Sequence, residues 1–82
     1  MTAVSEETAV TAYFSVAGEI SPRRFTWRGT TLSVEGVGRR WCEGSERCFV
    51  VLAAGERPFE LRLDERTFRW RVSCVSASGP VA

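Results

Sequence analysis

The chain has 82 residues, enough for one domain, and a domain of that size buries only about 60% of the surface its unfolded chain exposes. Its basic and acidic residues nearly balance, at a net charge of +1, which argues against a general polyanion binder. No run approaches the roughly 20 apolar residues of a membrane span, and with no histidine there is no imidazole base, imidazole metal ligand or switch near neutral pH.

Residues 1–10 have no clean period and are expected to be a tail or irregular lead-in. They are acidic and lack the basic n-region of a signal peptide, so a cytoplasmic location is expected. Residues 11–20, TAYFSVAGEI, alternate, with Phe14, Val16 and Ile20 pointing one way; this is strand one, and Gly18 marks a bulge.

The next stretch, Pro22 to Glu35, reads as a β-hairpin closed on a Gly29-Thr30 loop. That loop sets Trp27 opposite Leu32 and Phe25 opposite Val34, so one face is apolar and the other polar. Gly36 and Gly38 then predict a bend or bulge at a barrel corner. The strand resumes through Arg39, Arg40 and Trp41, and a Gly44-Ser45 loop sets Trp41 opposite Cys48.

Strand four is CFVVLAA, residues 48–54, and a two-residue Gly55-Glu56 loop joins it to FELRL. That register pairs Leu52 with Phe59, Val50 with Leu61 and Cys48 with Leu63, all inward. It leaves Phe49, Val51 and Ala53 on the outer face, where a strand apolar on both faces needs cover. Asp64–Thr67 reads as a four-residue loop that sets Arg62 opposite Arg69 and Glu60 opposite Arg71. Strand six then points Phe68, Trp70, Val72 and Cys74 inward, and residues 76–82 form a C-terminal tail.

The β domain is thus residues 11–75, all-β, a small antiparallel six-stranded meander. Burying its apolar face without a helix means curling into a partly open, SH3-like barrel. The competing architecture is a flatter sheet covered by a dimer partner.

Pro22, Phe25, Trp27, Arg28, Gly29, Val34 and Trp41, then Glu60, Leu61, Asp64, Thr67 and Trp70, form a pattern P-x-x-F-x-W-R-G, a lone Trp, and E-L-x-x-D-x-x-T-x-x-W. Over about residues 20–75 it resembles a family of small bacterial proteins of uncharacterised function. The resemblance brings a context, since in actinobacteria such genes often lie beside those of DNA-repair polymerases. It brings no activity. The chain departs from that pattern in a shorter segment after Trp41.

Cys42, Cys48 and Cys74 form no C-x-x-C pair, so neither a metal nor a cofactor is expected. Cys48 and Cys74 read as small core residues and Cys42 as a surface thiol; a three-residue loop would instead set Cys42 and Cys48 face to face, within reach of a disulfide. Glu35, Glu43, Glu46, Glu60 and Asp64 all fall on outward positions or turns, where no acid–base pair is built, so no enzyme is expected.

Two binding surfaces emerge. One is a protein interface of Tyr13, Phe49, Val51 and Ala53, serving a partner protein or a second copy of the chain. The other is an arginine stripe, Arg28, Arg62, Arg69 and Arg71 with Trp41, whose like-charged ladder pair asks for an anion such as a nucleic-acid phosphate. The first reading makes the protein a non-enzymatic interaction module; the second, a nucleic-acid-binding barrel.

Overall fold

The structure, a computed structural model, describes residues 5–75, and the predicted C-terminal tail lies outside them. Seven strands make up the domain: β1 (Glu6–Thr8), β2 (Val10–Phe14), β3 (Ile20–Trp27), β4 (Thr30–Glu43), β5 (Glu46–Ala53), β6 (Arg57–Asp64) and β7 (Arg69–Cys74). All pairings are antiparallel, in the order β1-β7-β6-β5-β4-β3-β2, and the sheet curls into a half-barrel.

The N-terminal segment is not a lead-in. Residues 6–8 pair with β7 at one end of the sheet, and residues 10–14 pair with β3 at the other. The switch occurs at Ala9, whose carbonyl accepts from the Thr26 amide at 3.2 Å. Beside it, the Thr8 hydroxyl donates to the Thr26 carbonyl at 2.6 Å. One short segment therefore draws both ends of the sheet together, giving seven strands where alternation alone predicts six.

Strand one also ends early. It stops at Phe14, and a turn carries the chain back at Ile20, with Gly18 in the turn at φ +88° rather than at a bulge. Ile20 is core, but Phe14 and Val16 are exposed.

The β3–β4 hairpin closes on Arg28-Gly29, both at positive φ (51° and 83°), one residue before the predicted loop. The primed turn matches the twist of the flanking strands. Phe25 consequently faces Leu32, not Val34. The pairing moves by two positions, so every side chain keeps its predicted face. β4 then gives its first residues to β3 and the rest, from Val34, to β5, with register shifts between Val34 and Gly36 and between Val37 and Arg40. The corner therefore sits at the two glycines, where an interruption of the ladder costs no side-chain packing.

The β5–β6 connection overturns a prediction of greater consequence. It has three residues, Ala54 to Glu56, so Ala53 pairs with Arg57, Val51 with Phe59 and Phe49 with Leu61. A slip of one exchanges the faces of the whole strand. Phe49, Val51 and Ala53 are therefore core, at 3%, 0% and 0% exposure, and not an interface. Val50 and Leu52 face outward, with Leu52 exposed.

The core gathers these three with Ile20, Phe25, Phe59, Leu61, Leu63 and Val72. Phe59 sits at its centre, with Phe25 and Trp27 edge-on at ring distances of 5.1 and 5.3 Å. Trp70 lies against Phe49 at 5.9 Å. Trp27 and Trp70 are half-buried walls of this core rather than its interior.

Phe49→Glu should therefore abolish the cooperative thermal transition, because it removes a core ring packed against Trp70 and sets a carboxylate opposite Leu61. Leu52→Glu, on the outer face of the same strand, should stay within about 0.5 kcal/mol of the parent. Circular-dichroism melting of both variants checks the register; a folded Phe49→Glu protein would refute it.

Candidate interaction surface at one end of the half-barrel

In a meander the turns alternate between the two ends. The β2–β3, β4–β5 and β6–β7 connections share one end, and the β3–β4 and β5–β6 connections share the other. Among the described residues the exposed large hydrophobics are Tyr13, Phe14, Val16, Leu52 and Phe68. All but Leu52 lie at the first end.

Each is held there by local bonding. In the β2–β3 turn the Ser15 amide donates to the Glu19 carbonyl at 2.8 Å and the Gly18 amide to the Ser15 carbonyl at 2.9 Å. The Glu19 amide donates to Ser15 Oγ at 3.0 Å. Val16 sits fully exposed at the tip, and Phe14 pairs with the core residue Ile20 while staying 56% exposed. Tyr13 points to the other face of β2, under the Arg23 guanidinium at 5.4 Å.

The β6–β7 loop is Glu65–Phe68, one residue later than predicted. Its Arg66 amide is capped by Asp64 Oδ1 at 2.9 Å, and its Glu65 amide donates to the Ser45 carbonyl at 2.8 Å, joining it to the β4–β5 turn. Phe68 closes the loop at φ +59° and is 70% exposed rather than inward. The left-handed region costs a non-glycine residue about 1–2 kcal/mol, and no burial of this ring offsets it.

Between the β2–β3 turn and the β4–β5 hairpin is a cleft of about 240 Å³. It opens because β4 leaves β3 at the corner to join β5. Ile20 forms one wall, and Arg40, Trp41, Arg47 and Phe49 the other. Arg40 Nη1 crosses it to the Ile20 carbonyl at 3.3 Å. The volume is below the roughly 300–1,000 Å³ of ligand and cofactor pockets, so it suits one or two side chains.

The predicted arginine stripe is engaged internally. Register moves Arg62 opposite Arg71, not Arg69, and Glu60 opposite Ser73. Arg62 turns to Glu43 at 2.7 Å, Glu46 at 2.9 Å and Glu60. Arg71 donates to Ser5 Oγ at 2.8 Å. Arg69 meets Glu7, and Arg28 meets Glu6 while lying over Trp27. Trp41 is half-buried opposite Cys48, as predicted, and carries Arg39 over its ring at 4.8 Å. Arg39 and Arg40 have no carboxylate partner among the described residues, and neither do Arg23, Arg24, Arg57 and Arg71.

The Arg62 group closes over Cys48. The hydrogen bond that its guanidinium donates to Glu60, reinforced by those to Glu46 and Glu43, raises the guanidinium pKa above its ordinary value. Burial pushes the Cys48 thiol up, and Arg62 offsets this only in part. All three cysteines are free; Cys42 and Cys74 are exposed, so Cys74 is not the core residue expected.

Thiol reagents should accordingly label Cys42 and Cys74 quickly and Cys48 only on unfolding, countable by mass spectrometry. Because the Cys48 pKa is raised in the folded state, its contribution to stability is present below the ordinary thiol pKa and is lost as pH rises from about 8.5 upward. Cys48→Ala should flatten that alkaline decline in urea titrations. Arg62→Ala should cost about 1–2 kcal/mol, and Glu60→Gln in the same background should recover part of it, because the loss is mainly one of uncompensated, partly exposed carboxylates.

No helix is long and apolar enough to cross a membrane among the described residues. No curated protein and no solved structure is detectably similar to the chain. A family described as a domain of unknown function (DUF6504) matches residues 1–79, and the chain belongs to that family.

Proposed function

We propose that this domain is a small non-enzymatic interaction module that binds a protein partner, or a second copy of itself, through the end carrying Phe14, Val16, Phe68 and the cleft. The observation that carries this reading is the concentration of exposed apolar side chains at that end. Large apolar side chains gathered at one end and left bare mark interaction sites more often than scattered ones do. The left-handed Phe68 adds to it: backbone strain without local compensation is a feature of functional loops. Of the interface predicted from sequence, Tyr13 alone remains a surface residue, beside the same end.

The nucleic-acid reading draws less support. Each stripe arginine already has a partner within the domain, so binding a phosphate would mean breaking those pairs first.

A photo-crosslinking residue at position 14 or 16, in cells that naturally express the protein, should give one discrete adduct that the same residue at position 52 does not. An adduct of twice the chain mass would identify the partner as a second copy. Indistinguishable adducts from positions 14 and 52 would refute the reading. Phe68→Gly should raise stability by about 1 kcal/mol while weakening the adduct, the exchange expected where strain serves binding.

A further inference from the structure

Among the described residues the sheet leaves the outer edge of β2 without a neighbour. We infer that a second copy of the chain adds to that edge, β2 against β2, antiparallel about a two-fold axis at Tyr13. The inference rests on the proposed binding end and names the partner and the register in which it binds there.

The backbone bonds identify the free groups. The Thr26 amide donates to the Ala9 carbonyl, and the Ser15 amide to the Glu19 carbonyl, so Ala9 and Ser15 both turn toward β3. Successive residues of an antiparallel strand turn their N–H and C=O to opposite sides. Thr11 and Tyr13 therefore also bond to β3, and Val10, Ala12 and Phe14 turn outward. The bulge leaves this alternation intact, because the extra residue, Arg23, lies on β3. The outward side is the one on which β1 pairs with β7, Thr8 opposite Trp70. β7 begins at Arg69, and before it Phe68 turns away at φ +59° with its amide on the Asp64 carbonyl. By the same register that loop is level with Val10, so Ala12 and Phe14 have no strand beside them.

Free edges are ordinarily guarded by charge or proline, and β2, VTAYF, carries neither. The edge of β3 toward β4, by contrast, has Pro22 and an Ile20 carbonyl already taken by Arg40. A neutral strand does not repel its own copy. The free pair Ala12 and Phe14 sets the axis at Tyr13, where Ala12 of each copy exchanges two bonds with Phe14 of the other. Tyr13, 54% exposed, then lies directly opposite its own copy, and the two exposed Phe14 rings meet diagonally. Glu19 of each copy falls level with Arg24 of the other, opposite in sign. The described chain enters at Ser5 and leaves at Val75, both toward the other end of the sheet, so neither covers this edge.

The test is sedimentation equilibrium of the full chain, with amide hydrogen exchange at high and low concentration. The chain should form a dimer with a Kd below about 1 mM. The Ala12 and Phe14 amides should gain protection as concentration rises, while those of Thr11 and Tyr13 stay protected at every dilution. Tyr13→Lys sets like charges opposite each other and should weaken the dimer about tenfold or more, as should Tyr13→Glu. Mixing the two variants should restore a dimer. Tyr13 is exposed in the single chain, so neither change disturbs the core.

A dimer whose Ala12 and Phe14 amides exchange freely would overturn the edge, and one that Tyr13→Lys leaves intact would overturn the axis. Protection of those two amides at every dilution would mean that the chain covers its own edge, and would overturn the second copy. So would a chain that stays monomeric at about 1 mM. Crosslinking at positions 14 and 16 would still judge the binding end independently, since an adduct with a different protein upholds that end without a dimer.

Discussion

The register of β5 against β6 is the constraint on which the rest of the domain depends. The turn Ala54–Glu56 holds Gly55 and Glu56 at positive φ and adds one residue to the connection. That residue decides which half of CFVVLAA enters the core. With Phe49, Val51 and Ala53 inside, they meet Phe59, Leu61 and Leu63 across the strand pair, and Trp70 has Phe49 to pack against. With Cys48, Val50 and Leu52 inside, the largest ring of the strand would lie in water. The observed register buries the Phe49 ring while Cys48 stays buried on the other face beside Arg62, so packing overrules the shorter turn that Gly-X spacing favours.

The same comparison explains how much of the fold is legible in the sequence. Alternation is a two-state signal, so it tolerates register errors of two residues and none of one. The β3–β4 and β6–β7 pairings each differ from expectation by two, and their faces are as read: Phe25 and Trp27 stay with Leu32, and Leu61 and Leu63 stay with Val72 and Trp70. The β5–β6 pairing differs by one, and its faces are reversed. FELRL reveals its own inner face because its outer residues are charged. CFVVLAA is apolar throughout and carries no such label, so its orientation rested on the turn alone.

The candidate site was less legible, for a related reason. Phe14, Val16 and Phe68 all extend an apolar alternation that is core elsewhere in the same strand, and nothing in the pattern says where the ladder stops. What stops it is turn chemistry: Ser15 bonding to Glu19 and Gly18, and Asp64 capping Arg66. Ser15, Gly18 and Asp64 are turn residues and could have signalled the strand ends. Read that way, the aromatic residues beside them fall outside the core. The cleft itself had no local signal, since it exists only because β4 changes partners between β3 and β5.

Net charge near zero said little about binding because it averages over a matched set and an unmatched one. Glu6 and Glu7 reach Arg28 and Arg69 only because the N-terminal segment pairs with β7, far along the chain. Glu43 and Glu46 reach Arg62 because β4, β5 and β6 are neighbours. Closure of the sheet thus removes the most prominent arginines from service as an anion site. It also opens the cleft where Arg40, without an ion pair among the described residues, lies beside Ile20 and Phe49. The curl that buries the core and the feature most suited to binding have one origin: a long strand that gives its first half to one neighbour and its second half to another.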